Sequence, residues 1–228
     1  MVGRENGHVY RSTDGAQTFT EITLPNDTGY MILSIAGNGA GKFVTGQRSS
    51  LHVSTDDGAS FTRSTPFTAD VINGVAYTNS TWIVTYSKSG EDNLFARTAS
   101  DSDLSTWSSE VDLGIEDPHG QSGQTNEPHN RACLAAANGR VVIVSNEKTG
   151  IARLDIDGTT TSNLANPTSL STGARDIATD GSVWMIVADD GDIYESTDNG
   201  VTFTRTVNDV RGTGRNLQTV TVSKHLPL

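Results

Sequence analysis

The residue types that could do chemistry in this sequence are most concentrated in the stretch "GIEDPHGQSGQTNEPHNR", at residues 114–131. It contains His119, Glu127, His129 and Arg131. Imidazole and carboxylate groups in one loop could hold a metal ion or act as an acid–base pair. Their spacing matches no compact ligand set, so we predict no metal site and no cofactor. We interpret the stretch as a polar recognition loop.

Arginines form a second candidate group. Arg131, Arg175 and Arg215 each precede a predicted innermost strand. Because guanidinium groups bind carboxylates through paired hydrogen bonds, three converging arginines would suit an acidic sugar. Their offsets within the repeat differ, however, so we favour the interpretation that they are three independent surface arginines.

A third group would serve a glycoside hydrolase, which needs two carboxyl groups on either side of the scissile bond. Asp70 and Asp176 lie near predicted innermost strands, and Glu127 lies in the long loop. These three carboxylates are the catalytic candidates if the protein is a hydrolase. Otherwise we assign no catalytic residue.

A repeated motif shows which elements would position these residues. The stretch "STDDGASF" at 54–61 recurs as "STDNGVTF" at 196–203 and as "STDGAQTF" at 12–19. A degenerate copy, "SDSDLSTW", occupies 100–107. We call these four segments the Ser-Asp turns. Between them, short apolar runs such as "KFVTG" and "RVVIVS" alternate with Gly-rich and Asn-rich turns, which is typical of β-strands in hairpins.

The repeat predicts an all-β fold, a five-bladed β-propeller of four-stranded antiparallel blades, because units of roughly 40–50 residues match a propeller blade. We predict one domain over 1–228. One blade combines 1–24 with 215–223, and the others span about 30–65, 70–113, 131–165 and 174–208. Residue 1 starts at a second strand, while "LQTVTVS" near the end has the character of a first strand. Pairing of these N-terminal and C-terminal strands would close the ring and remove exposed sheet edges.

The Ser-Asp turns resemble the Asp-box, or BNR, repeat, Ser-x-Asp-x-Gly-x-Thr-aromatic. That repeat is found in sialidases and in many non-enzymatic propellers, including bacteriophage virion proteins. The resemblance implies a structural role for a set of turn residues: Ser12, Asp14, Phe19, Ser54, Asp56, Gly58, Phe61, Trp107, Ser196, Asp198, Gly200 and Phe203. It also implies a ligand face opposite the turns.

The physical role expected of each turn is local. The aspartate accepts hydrogen bonds from turn N–H groups, the glycine permits positive φ, and the aromatic folds back to pin the turn against its blade. A sialidase also needs a Tyr–Glu nucleophile pair and six blades. The sequence identifies no such pair, and its length fits five blades.

Charge and composition exclude several partners. The formal net charge is −11, which disfavours nucleic acid and anionic membranes. No segment is apolar enough for membrane insertion, and the N-terminal residues lack the apolar run of a signal peptide. The single cysteine, Cys133, allows no internal disulfide and is expected to be buried.

We therefore predict a non-enzymatic recognition or structural propeller, virion-associated (phage capsid or tail) or extracellular. It would bind a glycan or a virion or cell-surface protein through the loop face opposite the Ser-Asp turns. The alternatives are a carbohydrate-active hydrolase and a segment of a larger repeat protein.

Overall fold

The computed structural model describes residues 1–3, 7–26, 30–116, 132–145, 150–156, 161–162, 173–207, 217 and 219–222. Within these residues the chain forms strands β1 to β19 and one short 3-10 helix, Asp189–Gly191. The strands fall into five antiparallel sheets, each made of strands that follow one another in the chain.

The first three sheets cover the first half of the chain. The first contains β1 (Val2–Gly3), β2 (His8–Arg11) and β3 (Thr20–Thr23). The second contains β4 (Ile32–Gly37), β5 (Phe43–Gln47), β6 (Ser50–Ser54) and β7 (Thr62–Ser64). The third contains β8 (Val71–Thr78), β9 (Thr81–Ser87), β10 (Asn93–Ser100) and β11 (Val111–Glu116).

The last two sheets have the same strand order. The fourth contains β12 (Ala132–Ala137), β13 (Arg140–Ser145), β14 (Ile151–Asp155) and β15 (Thr161–Ser162). The fifth contains β16 (Ala174–Thr179), β17 (Trp184–Ala188), β18 (Ile193–Ser196) and β19 (Thr204–Val207).

Short turns with positive φ explain why these runs fold into hairpins. Asn79 and Ser80 join β8 to β9 with φ of 46° and 57°, and Asn138 and Gly139 join β12 to β13 with φ of 51° and 74°. Two consecutive positive φ values define the two-residue turn whose twist matches antiparallel strands.

The chain divides into two compact units, Met1–Gly90 with Phe95–Glu110, and Glu91–Leu94 with Val111–Leu228. In the first unit, one apolar cluster draws on the first and second sheets, with Val9, Ile32 and Phe61. Another draws on the second and third sheets, with Val44 and Trp82.

In the second unit, an apolar cluster joins the fourth and fifth sheets through Val142, Val144, Ile177 and Trp184. Successive sheets within each unit thus pack face to face. Full burial of an aliphatic side chain such as Val142 stabilises the fold by about 1.5–3 kcal/mol.

The prediction of five antiparallel sheets is confirmed. The first sheet differs from a four-stranded blade, since it has three strands among the residues described. Residues 217 and 219–222, expected to supply the missing strand, are not assigned to a strand. Closure of the ring by paired termini stays a prediction.

Candidate functional site

Most of the predicted loop-face residues lie outside the described part of the chain. His119, Glu127, His129 and Arg131 belong to the loop, and Arg215 lies near the C-terminus. Their proposed roles stay predictions. Cys133, which is described, is half-buried rather than fully buried, and its Sγ donates to the carbonyl oxygen of Arg175 at 3.3 Å.

The two described hydrolase candidates have different surroundings. Asp70 is exposed just before β8, and its backbone N–H donates to the Ser87 carbonyl at 2.9 Å. Asp176 lies in β16, where one carboxylate oxygen accepts from the Ile177 N–H at 2.9 Å. Its other oxygen accepts from the Thr219 hydroxyl at 2.7 Å and from the Val220 N–H at 3.0 Å. Both oxygens of Asp176 are therefore engaged in structural hydrogen bonds.

Arg175 is engaged as well. Its guanidinium forms a two-point ion pair with Asp189, in which Nη2 donates to Oδ2 at 3.1 Å and Nε donates to Oδ1. A paired guanidinium must give up this carboxylate before it can bind a ligand carboxylate.

A cluster that sequence analysis missed lies in the first unit, around Tyr86 of β9. The Tyr86 hydroxyl donates to Glu110 at 2.6 Å, and Arg97 Nε donates to the Tyr86 hydroxyl oxygen at 3.0 Å. Lys88 Nζ donates to the other oxygen of Glu110 at 2.7 Å. Tyr86 and Glu110 are 24 residues apart, so this pair is visible only once β9, β10 and the segment before β11 are in register.

Aromatic rings surround these charges. The centre of the Phe67 ring lies 4.8 Å from the centre of the Tyr86 ring. It lies 5.4 Å from the centre of the Trp107 ring, in an edge-on arrangement. Lys88 Nζ lies 3.9 Å from the centre of the Phe95 ring. Such cation–aromatic contacts stabilise by about 0.5–1 kcal/mol where they are exposed to solvent. We call Phe67, Tyr86, Lys88, Phe95, Arg97, Trp107 and Glu110 the Tyr86 cluster.

The electrostatics of the Tyr86 cluster suppress nucleophilic chemistry. Burial, reinforced by the hydrogen bond to Glu110, raises the pKa of Tyr86 to about 12. Burial acts to raise the pKa of Glu110 too, but hydrogen bonds from Lys88 and Tyr86 outweigh it and hold that pKa below its usual value. At neutral pH the phenol is protonated, fully buried and donating to an ionised carboxylate. This Tyr–Glu pair is thus a packed structural pair, unlike an activated nucleophile.

The Ser-Asp turns 54–61, 100–107 and 196–203 connect the third and fourth strands of their sheets, and the turn 12–19 connects β2 to β3. In the turn 54–61, the Ser54 hydroxyl donates to Asp56 at 2.8 Å, and the Gly58 N–H donates to the Ser54 hydroxyl oxygen at 2.8 Å. Asp56 also accepts from the N–H and the hydroxyl of Ser60, at 3.0 and 2.6 Å. The turns 12–19 and 196–203 repeat this pattern around Asp14 and Asp198. The aspartates accept from turn N–H groups, as predicted.

The aromatic residues correct one expectation. Phe61 and Phe203 are each 7% exposed, and each belongs to a cluster with the preceding sheet as well as with its own. Phe19 is 47% exposed, so the expected packing of the aromatic against its blade is wrong for this turn. Its internal hydrogen bonds match those of the turn 54–61, so the difference lies in the surroundings of the ring and not in the turn itself.

Within the described ranges, no three His, Cys, Asp or Glu side chains come together in a way that could hold a metal ion. In the same part of the chain, no helix has the length and apolarity of a membrane span.

No protein-family model matches the sequence, and no curated protein matches it either. Solved structures do resemble it. The structure of YCF48 bound to D1 peptide is 19% identical, with a TM-score of 0.57, and the match covers 92% of this chain and 64% of that one. The mitotic checkpoint complex structure is 13% identical, with a TM-score of 0.66, and coverage of 97% and 64%. The chain has the β-propeller fold.

An ancestral GH74 enzyme is also similar, at 14% identity and a TM-score of 0.57, with coverage of 90% of this chain and 29% of the enzyme. The chain spans less than two thirds of the length of each of these three proteins. The comparisons show the fold, and they leave the Asp-box family as a resemblance.

Proposed function

We propose that this propeller is a non-enzymatic binding module that recognises a protein or glycan through the end of its sheets opposite the Ser-Asp turns. The observation that carries the proposal is the Tyr86 cluster, which combines two cations, a carboxylate and closely packed aromatic rings while its tyrosine is held protonated. Such a combination suits recognition, because aromatic faces and charge-assisted hydrogen bonds give contact area and orientation.

The cluster lies towards the proposed end of the sheet. Tyr86 pairs with Phe95 next to the connection between β9 and β10, whereas Thr81 pairs with Ser100 at the other end, where the degenerate Ser-Asp turn begins. Lys88, Arg97 and Glu110 keep 26%, 24% and 28% of their side chains exposed. A ligand could therefore reach the charged rim without unpacking the aromatic core.

The neighbours support a binding role. One of them is YCF48 in complex with D1 peptide, and another belongs to the mitotic checkpoint complex structure. A virion or extracellular setting is part of the proposal and draws its support from the resemblance of the turns 54–61 and 196–203 to Asp-box repeats, together with the acidic net charge of −11.

The hydrolase alternative requires a carboxyl group with a raised pKa as general acid. Both carboxylate oxygens of the candidate Asp176 accept structural hydrogen bonds, and its Oδ2 is held by Thr219 and Val220. This engagement favours the binding proposal over hydrolysis at Asp176.

The test measures binding and turnover on the same protein. We expect saturable binding to members of a glycan array or a printed array of short synthetic peptides, with no turnover of aryl glycosides. Lys88→Gln and Arg97→Gln should weaken that binding, while Arg63→Gln, an exposed arginine of β7, should leave it unchanged. Glycoside turnover abolished by Asp70→Asn or Asp176→Asn would overturn the proposal, as would binding that is indifferent to Lys88 and Arg97.

A further inference from the structure

Cations hold the Ser-Asp turns to the sheet that precedes them in the chain. Arg11 ends β2, and its Nε donates to the carbonyl oxygen of Asp57 at 2.7 Å. Arg140 begins β13, and its Nη1 donates to the carbonyl oxygen of Asn199 at 2.6 Å. Asp57 and Asn199 occupy the same place in their turns, directly before the glycine. In two repeats, an arginine of the preceding sheet thus donates to the equivalent turn carbonyl, although the two arginines come from different strands.

The degenerate turn 100–107 also receives a cation, at an earlier position of the turn. Lys42, directly before β5, donates to the carbonyl oxygen of Asp101, and its Nζ lies 3.1 Å from the Asp101 carboxylate. Asn38 donates to that carboxylate at 3.2 Å. A third turn thus receives a cation from the sheet before it.

An apolar contact accompanies each cation. Phe61 clusters with Val9 of the first sheet, and Phe203 clusters with Val142 of the fourth. Trp107 packs against the cluster that contains Val44 of the second sheet. Each of these turns is therefore recognised by two groups at once, a cation for a backbone carbonyl and an apolar surface for the aromatic.

In the first turn, 12–19, the aromatic ring and the corresponding backbone carbonyl have no such contacts among the described residues. Phe19 is 47% exposed, and a Cβ added at Gly15 would meet no atom within 4 Å. No described residue donates to the carbonyl of Gly15, which holds the place of Asp57 and Asn199.

We propose that the first Ser-Asp turn is a docking surface for another protein, one that presents an arginine or lysine beside an apolar side chain. The partner's cation donates to the Gly15 carbonyl, and its apolar side chain covers Phe19. The net charge of −11 favours encounter with a basic partner. This surface is separate from the Tyr86 cluster, so the proposal does not depend on the proposed function.

The probe is a blocked Leu-Arg-Leu peptide titrated into isotope-labelled protein and followed by amide chemical shifts. We expect saturable shifts confined to residues 12–19, with a blocked Leu-Glu-Leu peptide causing none. Phe19→Ser should weaken binding by about tenfold or more, which corresponds to about 1.4 kcal/mol. Val207→Ser is the matched control, because Val207 is also partly exposed, at 37%, and lies outside the turn.

Three results would overturn the proposal. The first is an absence of saturable shifts at millimolar peptide, and the second is equal binding of the glutamate peptide or of Phe19→Ser. The third is a protein that already self-associates through Phe19 in sedimentation experiments, which would make a second copy of the chain the occupant. Circular dichroism of Phe19→Ser verifies that the variant is folded.

Discussion

The turns 12–19 and 54–61 have nearly the same internal hydrogen bonds, but their aromatic residues differ in burial. In both, a serine hydroxyl donates to the aspartate, at 2.7 and 2.8 Å. The residue directly before the aromatic, Thr18 or Ser60, donates both its backbone N–H and its hydroxyl to the same carboxylate. Yet Phe61 is 7% exposed and Phe19 is 47% exposed. The local sequence therefore forms the turn, whereas a neighbouring sheet decides whether the aromatic contributes to the core.

The difference separates two roles that one motif carries. The polar positions close a hairpin with side-chain-to-backbone hydrogen bonds, which need no other part of the chain. The aromatic and the backbone carbonyl are contact groups whose energy is realised only when another surface meets them. The Ser-Asp turn is thus both a hairpin closure and a fastener between sheets.

The largest expected effect comes from removing the aromatic. Phe61→Ala should lower the free energy of unfolding by about 3–5 kcal/mol, because it leaves a cavity among Val9, Leu24 and Ile32. Phe19→Ala should change it by less than about 1 kcal/mol, since the ring is half-exposed. Urea titrations of both variants measure the contrast. Equal losses would show that Phe19 is packed, which would contradict both the comparison and the docking proposal.

A smaller effect is expected at the turn glycines. Gly15 and Gly200 both have positive φ, 70° and 74°, so an alanine costs about 1–2 kcal/mol at either position. At Gly200 the new methyl would also lie 2.8 Å from Val142, which adds about 1–3 kcal/mol of overpacking. Thermal and urea unfolding should therefore rank Gly200→Ala well below Gly15→Ala in stability. The reverse order would show that Val142 moves aside at little energetic cost to make room for the new methyl group.

Sequence patterns predicted the fold well, because its determinants are local. Short apolar runs bounded by Gly and Asn located the strands, and Ser54, Asp56 and Gly58 lie close enough in the chain to define the turn by themselves. The five sheets follow from counting such units.

The site was less predictable, because its contacts join distant residues. The Tyr86–Glu110 pair depends on the register of three strands, and Asp176 is engaged by Val220, 44 residues away. In neither case does the sequence separation of the two residues indicate a contact. The exposure of Phe19 could not be predicted from the sequence either, since its local sequence matches that of a buried aromatic.

The smallest expected effect concerns the aspartates, whose hydrogen bonds are alike in the two turns. Hydrogen bonds from Ser60 and Ser54 lower the pKa of Asp56 to about 2, and those from Thr18 and Ser12 lower the pKa of Asp14 still further. Because these pKa values lie below that of an unfolded aspartate, about 3.9, the stabilisation is complete above about pH 4. It is lost as the pH falls through the folded-state values.

Unfolding free energies measured by urea titration between pH 5 and pH 2 should therefore decline on acidification. Asp14→Asn and Asp56→Asn should each flatten that decline by a similar amount, at most about one bound proton, even though Phe19→Ala and Phe61→Ala differ strongly. Thr13→Asn, in the same turn but without loss of a carboxyl group, is the matched control. Unequal slopes for the two aspartate variants would mean that the neighbouring sheet, as well as the local sequence, tunes the carboxylate of the covered turn.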